Sequence, residues 1–342
     1  MGEVMTMVLK IFRYVFLGVF AILILLLLVF VTSSKMSMDS NFSHTNESKD
    51  LQKFSSSVGD GIVNISAGEM TFRARIAGFD TNNSKEVVIL LHGFPVTSAM
   101  WLDLIGPLKE AGYKVVAFDQ RGYSPLARPE TLDSYQISEI TQDIFAVADV
   151  IGTEKFHLIG HDWGAIVGWS AVLSDPSRIS SWTALSLPHP AAFGAALADD
   201  PDQQDRSSYV DFFQTPWLPE TVFSFNNFSL LKTLLGGMSD EKMKEYISVF
   251  SEPGAMTSAL NWYRALGDDL GFNSDDANFL EVNTPTLFMW GNRDASVGRV
   301  AIDGMTEFMK GPYTNIELDA GHWLFVDQPE RVISEILIHI DK

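Results

Sequence analysis

The chain has 342 residues, of which 46% are hydrophobic and 12% aromatic, enough for one large packed core or two modest ones. Its formal net charge of −19 is expected to make it repel nucleic acid and anionic lipid headgroups. It contains no cysteine, which excludes disulfide bonds, a thiolate nucleophile and cysteine-ligated metal.

The amino-terminal segment contains a long apolar run. Residues 14–31 carry no charged side chain and consist mostly of Leu, Val, Phe and Ile. Such a run is long enough to cross a bilayer as one helix, whereas a secretory signal peptide, the alternative, has a shorter apolar region. We expect a single transmembrane anchor over residues 1–35, with the folded domain outside the cytoplasm, followed by a flexible linker over residues 36–58.

Beyond the linker, short aliphatic segments alternate with helical stretches. The predicted strands are residues 87–91, 115–118, 156–159, 182–185, 286–290 and 315–318. Nearly continuous apolar strands separated by helices indicate a parallel sheet that is buried on both faces. Residues 190–280 interrupt this alternation with a helical, aromatic-rich pattern. We therefore expect an α/β fold, with a core of residues 59–189 and 281–342 and a helical lid over residues 190–280.

Glycine-framed aspartates are the first candidates for chemistry. No Gly-x-x-x-Gly frame has Ser at its centre, so a serine esterase is not expected. Two frames centre on aspartate, namely Asp162 and Asp269. Asp162 follows an apolar strand and precedes a helix, as a nucleophile elbow requires, whereas Asp269 follows a helical segment of the lid. Asp162 is the predicted nucleophile, and a helix N-cap is its alternative role.

An acid and a base follow the nucleophile in the chain. Asp294 lies just past the strand at 286–290, where a buried carboxylate can orient an imidazole. His322 follows the last strand and is the predicted base. Asp319 is an alternative to Asp294.

The loop after the first predicted strand is the candidate oxyanion hole. In His92-Gly93-Phe94-Pro95, the backbone N–H of Phe94 is placed to bind a developing oxyanion together with that of Trp163. We expect His92 itself to stabilise the turn rather than to take part in the chemistry.

Aspartate as the nucleophile narrows the reaction class. It suits displacement at an sp³ carbon, because the resulting alkyl ester can be hydrolysed at the aspartyl carbonyl. Epoxides and alkyl halides are then the candidate substrates, and an epoxide releases an alkoxide that needs a proton. Tyr209 and Tyr263 of the lid can supply it, since a phenol with a pKa of about 10 is a better donor than water. Either tyrosine alone is equally consistent with a core residue.

Six separated motifs together resemble the α/β-hydrolase-fold epoxide hydrolases, which are related to aspartate-nucleophile dehalogenases. They are His92-Gly93-Phe94-Pro95, Gly160-His161-Asp162-Trp163-Gly164, Tyr209-x-x-x-Phe213-Gln214, Asn261-Trp262-Tyr263-Arg264, Asp294 and Gly321-His322-Trp323. The resemblance covers about residues 60–342. It implies Asp162 as nucleophile, Tyr209 and Tyr263 as the pair that binds the oxirane oxygen, and Asp294 with His322 as the water-activating pair. It also implies a small apolar epoxide substrate and no metal or organic cofactor.

Two other functions are compatible with parts of the pattern. A haloalkane or haloacetate dehalogenase shares the aspartate elbow. Fluoroacetate dehalogenases, however, have a His-Trp pair where this chain has Tyr209-Val210, and a second arginine where it has Ser124, three residues after Arg121. A non-catalytic hydrolase-fold binding protein is the second alternative.

The chain departs from the epoxide hydrolase pattern at residues 119–125, which lack a glycine that is usual in that family. This difference affects the expected shape of the pocket and not the expected mechanism.

Overall fold

The computed structural model describes residues 48–80, 85–266 and 280–342. The predicted anchor at residues 1–35, the first part of the linker and Asp269 lie outside the described residues. Within the ranges that are described, no helix is both long and apolar enough to cross a membrane.

The described residues contain one sheet of eight strands. The strands are β1 (Gly61–Ala67), β2 (Met70–Ala77), β3 (Val87–Leu91), β4 (Lys114–Phe118), β5 (Phe156–His161), β6 (Ile179–Leu185), β7 (Thr286–Gly291) and β8 (Tyr313–Leu318). Their order in space is β1-β2-β4-β3-β5-β6-β7-β8. β1 and β2 pair antiparallel, as do β2 and β4, and all other neighbours are parallel. This confirms the predicted mostly parallel α/β sheet.

The six predicted strands correspond to β3 through β8. Every residue of β3 and β7 is buried, because helices cover both faces of a parallel sheet. β1 and β2 are absent from the predicted strands because polar residues interrupt their apolar pattern. Three of these residues, Asn64, Arg73 and Arg75, are nevertheless buried.

Helices flank the sheet and fill the interval between β6 and β7. Those outside that interval are α1 (Leu102–Glu110), α2 (Ile137–Ile151), α3 (Trp163–Ser174), α10 (Arg299–Asp303), α11 (Leu324–Asp327) and α12 (Pro329–Ile340). Those within it are α4 (Pro190–Asp199), α5 (Pro201–Ser207), α6 (Tyr209–Gln214), α7 (Leu218–Leu234), α8 (Asp240–Phe250) and α9 (Ala255–Arg264). Residues Trp217–Gly236, which include α7, form a compact unit of their own. The backbone of α7 leaves the helical conformation at residues 225–228.

A buried charge network ties α8 to the edge of the sheet. The carboxylate of Glu245 accepts hydrogen bonds from Arg75 and from Arg73 Nη1, the latter at 3.1 Å. Thr97 Oγ1 donates to the same carboxylate at 2.9 Å. Arg73 also donates to Asp119 at 3.1 Å. Because both guanidinium groups are buried, they depend on these carboxylates for charge compensation.

We predict that Glu245→Gln lowers the free energy of unfolding by about 3 kcal/mol at neutral pH, since it leaves buried positive charge under-compensated. Urea denaturation followed by circular dichroism measures this, and Glu241→Gln, at an exposed position of the same helix, is the matched control. Burial would raise the pKa of Glu245, but Arg75 and Arg73 hold it below its usual value. The stabilisation is therefore present above the unfolded pKa of about 4.3 and is lost as the pH falls through the lower folded value. A difference between the two variants that persists unchanged at pH 3 would contradict this explanation.

Candidate active site

The turn between β5 and α3 carries Asp162 in a strained backbone conformation. Its φ of 55° and ψ of −123° are rarely adopted by a residue with a side chain. Gly164 makes the turn possible, because a Cβ atom there would lie 2.1 Å from the carbonyl oxygen of Leu91. A Cβ on Gly160 would lie 2.3 Å from the carbonyl oxygen of Gly164. The two glycines therefore let α3 begin directly against β3 and expose the Asp162 side chain at the end of β5.

The Asp162 carboxylate has two differently occupied oxygens. Oδ1 accepts a hydrogen bond from the backbone N–H of Phe94 at 2.7 Å, and the N–H of Trp163 also contacts the carboxylate. Oδ2 lies 3.5 Å from Nε2 of His322. Burial would raise the pKa of Asp162, but the hydrogen bond and charge of His322 hold it below its usual value. The carboxylate is therefore ionised, with Oδ1 bound by the N–H of Phe94 and Oδ2 close to the imidazole.

His322 lies between two carboxylates. Its Nδ1 is 2.9 Å from Asp294 Oδ2, and Asp294 Oδ1 accepts the N–H of Ser296 at 2.8 Å. Burial would lower the pKa of His322, but Asp294 and Asp162 raise it to about 10. The ring is thus an imidazolium at neutral pH. Asp319, the alternative partner, is paired with Arg293 at 2.8 Å on the surface and does not contact His322.

Ser186 belongs to this arrangement although no motif marks it. It follows β6 with a φ of 73°, and its hydroxyl donates to Asp294 Oδ2 at 2.5 Å. The hydroxyl oxygen of Ser186 also lies 3.1 Å from Nδ1 of His322. Only its position in the sequence could have indicated a functional role. Ser186 follows the carboxyl end of a predicted strand, and functional residues of parallel sheets lie at that end of the strands.

A second unpredicted residue, Gln203 of α5, holds the loop that carries the acid. Its amide donates to the carbonyl oxygen of Ser296 at 2.9 Å and accepts the N–H of Gly298 at 2.8 Å. Arg206 of the same helix donates to the carbonyl oxygen of Asp294 at 2.5 Å. The position of Asp294 is therefore fixed by helix α5 as well as by its own strand.

The two predicted tyrosines lie close together and line the same cavity as Asp162. Their ring centroids are 6.4 Å apart, and the ring of Tyr263 stands perpendicular to that of Trp163 at 4.9 Å. Gln214 donates to the carbonyl oxygen of Tyr263 at 3.0 Å and so joins the two lid motifs. Burial raises the pKa of both tyrosines, that of Tyr263 well above the usual value. Both are therefore neutral phenols that can donate a hydrogen bond.

A cavity of about 290 Å³ brings the nucleophile and the tyrosines together. Asp162, Trp163, Tyr209 and Tyr263 line it. The apolar part of its wall is formed by Ile166, Leu187, Phe193, Leu197, Val210 and Leu266. The site therefore combines an ionised carboxylate, two phenol donors and a mainly apolar wall.

The remaining histidines near the site are structural. His92 is fully buried, its Nε2 accepts the N–H of Gln120 at 3.0 Å, and this contact stabilises the turn as expected. His161 lies 2.9 Å from the carbonyl oxygen of His322, and burial lowers its pKa to about 4. Neither competes with His322 as a base. In the part of the chain that the structure describes, no group of acidic and histidine side chains is arranged to hold a metal ion.

Comparison with known proteins places this geometry in a family. The model of a family described as having the alpha/beta hydrolase fold matches residues 86–329. Human epoxide hydrolase 4 is 33% identical over 283 residues, which cover 79% of this chain and 75% of that protein. This chain belongs to the epoxide hydrolases of the α/β-hydrolase fold. Epoxide hydrolase A of Mycobacterium tuberculosis is 31% identical and covers 73% of this chain and 89% of its own length.

Solved structures of epoxide hydrolases share the fold. The crystal structure of Bacillus megaterium epoxide hydrolase in complex with an inhibitor matches with a TM-score of 0.73 and 26% identity, over 82% of this chain and all of that one. Epoxide hydrolase A of Mycobacterium thermoresistibile matches with a TM-score of 0.70 and 28% identity, over 82% of this chain and 98% of that one. The resemblance stated from the motifs is therefore confirmed.

The charge state of this epoxide hydrolase site can be measured directly. We predict that ¹⁵N spectra of histidine-labelled protein show His322 as an imidazolium up to about pH 10, whereas His161 stays neutral at every pH above about 4. Asp162→Asn should lower the pKa of His322, because one of its two carboxylate neighbours loses its charge. The His322→Gln variant assigns the resonance. An imidazole signal of His322 that titrates between pH 6 and 7 in the unmodified protein would contradict the described charge arrangement.

Proposed function

We propose that the protein hydrolyses epoxides to vicinal diols through a covalent alkyl ester of Asp162. The observation that carries this proposal is that Asp162, Tyr209 and Tyr263 line the same cavity. A nucleophile opposite two neutral phenols suits a three-membered ether, because ring opening needs attack at carbon and a hydrogen-bond donor at oxygen. Membership of the epoxide hydrolase family supports the same reaction.

The first step forms the ester. Oδ2 of Asp162 attacks one oxirane carbon, and the C–O bond at that carbon breaks. Tyr209 and Tyr263 bind the departing oxygen, and one of them gives it a proton. Oδ1 remains hydrogen-bonded to the N–H group of Phe94 throughout, and the N–H of Trp163 stays in contact with the carboxyl group. The imidazolium of His322 then gives its own proton to the tyrosinate, so that this step leaves a neutral imidazole.

The second step hydrolyses the ester. Esterification removes the charge of Asp162, one of the two carboxylates that hold His322 as an imidazolium, so its pKa falls. The neutral ring, oriented by Asp294, takes a proton from water as the water oxygen attacks the ester carbonyl carbon. The oxyanion develops on Oδ1, where the N–H group of Phe94 already points, and the N–H of Trp163 contacts the same carboxyl group. Collapse of the tetrahedral intermediate breaks the bond between the carboxyl carbon and the former Oδ2, which leaves in the diol with one proton of the water. The other proton of the water stays on His322, so the carboxylate and the imidazolium are restored.

The contacts of Arg121 argue against the haloacetate alternative. Its Nε and Nη2 donate to Asp143 at 2.8 and 2.7 Å, and its Nη1 donates to the carbonyl oxygen of Ser134 at 2.6 Å. Ser124, at the position of the second arginine, accepts the N–H of Arg73 at 2.8 Å. Neither residue is left to bind a substrate carboxylate, so we favour an epoxide over a haloacid.

We predict that a single turnover of an aryl epoxide in ¹⁸O-labelled water places the label in the peptide that contains Asp162 and releases an unlabelled diol. Mass analysis of the proteolysed protein and of the product measures both. Label in the diol after one turnover would mean direct attack of water on the oxirane. Release of halide from a haloalkane, without turnover of any epoxide, would overturn the assignment of the substrate.

We predict that His322→Gln lowers kcat by at least about 10³-fold and that the ester accumulates, because His322 acts as a base only in the second step, whereas the attack of Asp162 that forms the ester needs no base. Intact-protein mass spectrometry should show one added substrate mass per chain. Asp162→Asn is the control that cannot form this ester. An unmodified mass for His322→Gln under conditions in which the unsubstituted protein consumes epoxide would contradict the two-step route.

We also propose, from the sequence, that residues 1–35 anchor the protein in a membrane with the catalytic domain outside the cytoplasm. The full chain should stay with membranes after alkaline carbonate extraction, whereas a variant lacking residues 2–35 should not. Protease added to sealed membranes tests the orientation of the domain. A mature amino terminus beyond residue 31 would instead indicate cleavage of a signal segment.

A further inference from the structure

The cavity has a charged group besides the nucleophile. The end of α5 and the start of α6 contribute Gln204, Ser207 and Asp211 to its wall. Among the described residues that line the cavity, Asp162 and Asp211 are the only ones with a charged side chain, and both are acidic. Asp211 is exposed, and within the described ranges no lysine, arginine or histidine forms an ion pair with it. The charged side chains of the cavity are therefore both negative, and no described cation is paired with Asp211.

The net charge of the whole chain has the same sign as the two carboxylates of the cavity. The chain as a whole has a formal charge of −19, which adds a repulsive field of longer range. A substrate that entered with a free carboxylate would approach Asp211 and Asp162 without a cationic partner.

Resting on the proposed function, we infer that the physiological substrate is an epoxide whose end remote from the oxirane is neutral or cationic, and that Asp211 discriminates against carboxylate-ended epoxides. The amide of Gln204 and the hydroxyl of Ser207 can hydrogen-bond a neutral polar end, and Asp211 attracts a cationic one. The volume of about 290 Å³ lies at the lower end for ligand pockets and limits the substrate to a small molecule. Fatty-acid epoxides with an ionised carboxylate are thus poor substrates.

The test uses three epoxides that differ only at one end, namely 7,8-epoxyoctanoate, its methyl ester and a trimethylammonium analogue of the same length. We expect kcat/KM for the methyl ester to exceed that for the carboxylate by about fivefold or more at low ionic strength, and the ammonium analogue to be at least as good as the ester. Asp211→Asn should reduce the ester-to-carboxylate ratio by about threefold, and Asp211→Ser should do the same by a different side chain.

Asp205→Asn is the matched control, because Asp205 is exposed on α5, does not line the cavity and changes the net charge equally. Its ester-to-carboxylate ratio should equal that of the unsubstituted protein. Equal kcat/KM for carboxylate and ester, or equal ratios in the Asp211 and Asp205 variants, would overturn the inference while leaving the proposed function intact. Failure to convert any of the three epoxides, or styrene oxide, to a diol would overturn the proposed function and the inference with it.

Discussion

The backbone conformation of Asp162 is the constraint on which the rest of the site depends. A positive φ at a non-glycine residue costs about 1–3 kcal/mol, and here it is retained because β5 and α3 can meet only through this turn. Gly160 and Gly164 remove the side chains that would otherwise separate the helix from the sheet. The turn directs one carboxylate oxygen to the N–H of Phe94 and the other to His322. The core packing therefore orients the carboxylate of Asp162, the proposed nucleophile, before any substrate binds.

The two carboxylates beside the His322 imidazolium can determine the order of the two proposed steps, formation of the ester and its hydrolysis. While Asp162 is ionised, His322 holds its proton and cannot act as a base. Alkylation removes the Asp162 charge, and only Asp294 then remains to hold the proton. Ser186 and Ser296 both donate to Asp294, so the acid keeps its place and its charge through this change. In the proposed mechanism, the base is thus activated by formation of the ester it hydrolyses.

The sequence predicts the buried strands and the residues that follow them, but not the residues whose partners lie far away in the chain. β3 and β7 are buried over their whole length and β4, β5 and β6 over most of it, and such buried runs can be recognised from the local sequence, whereas β8 is largely exposed. Asp162 and Asp294 each follow a buried strand and His322 follows the last strand, so the local sequence predicts their positions. By contrast, Ser186 and Gln203 acquire their roles from partners about 90–140 residues away, and Glu245 binds Arg73 across 172 residues. Only the folded chain shows that β2 can bury two arginines because α8 supplies a carboxylate.

Helix α6 gives one short segment two effects on the substrate. In the proposed mechanism Tyr209 donates a hydrogen bond to the oxirane oxygen, and Asp211, two residues later, lines the same cavity with a carboxylate. The proposed nucleophile must be ionised, so its charge already repels anionic substrates from the cavity. The carboxylate of Asp211 adds to this discrimination against anions. The two negative charges have little effect on the binding of a neutral epoxide, because a substrate without charge has no Coulomb repulsion from them. The proposed reaction therefore tolerates a negative cavity, and the same cavity defines which epoxides reach Asp162.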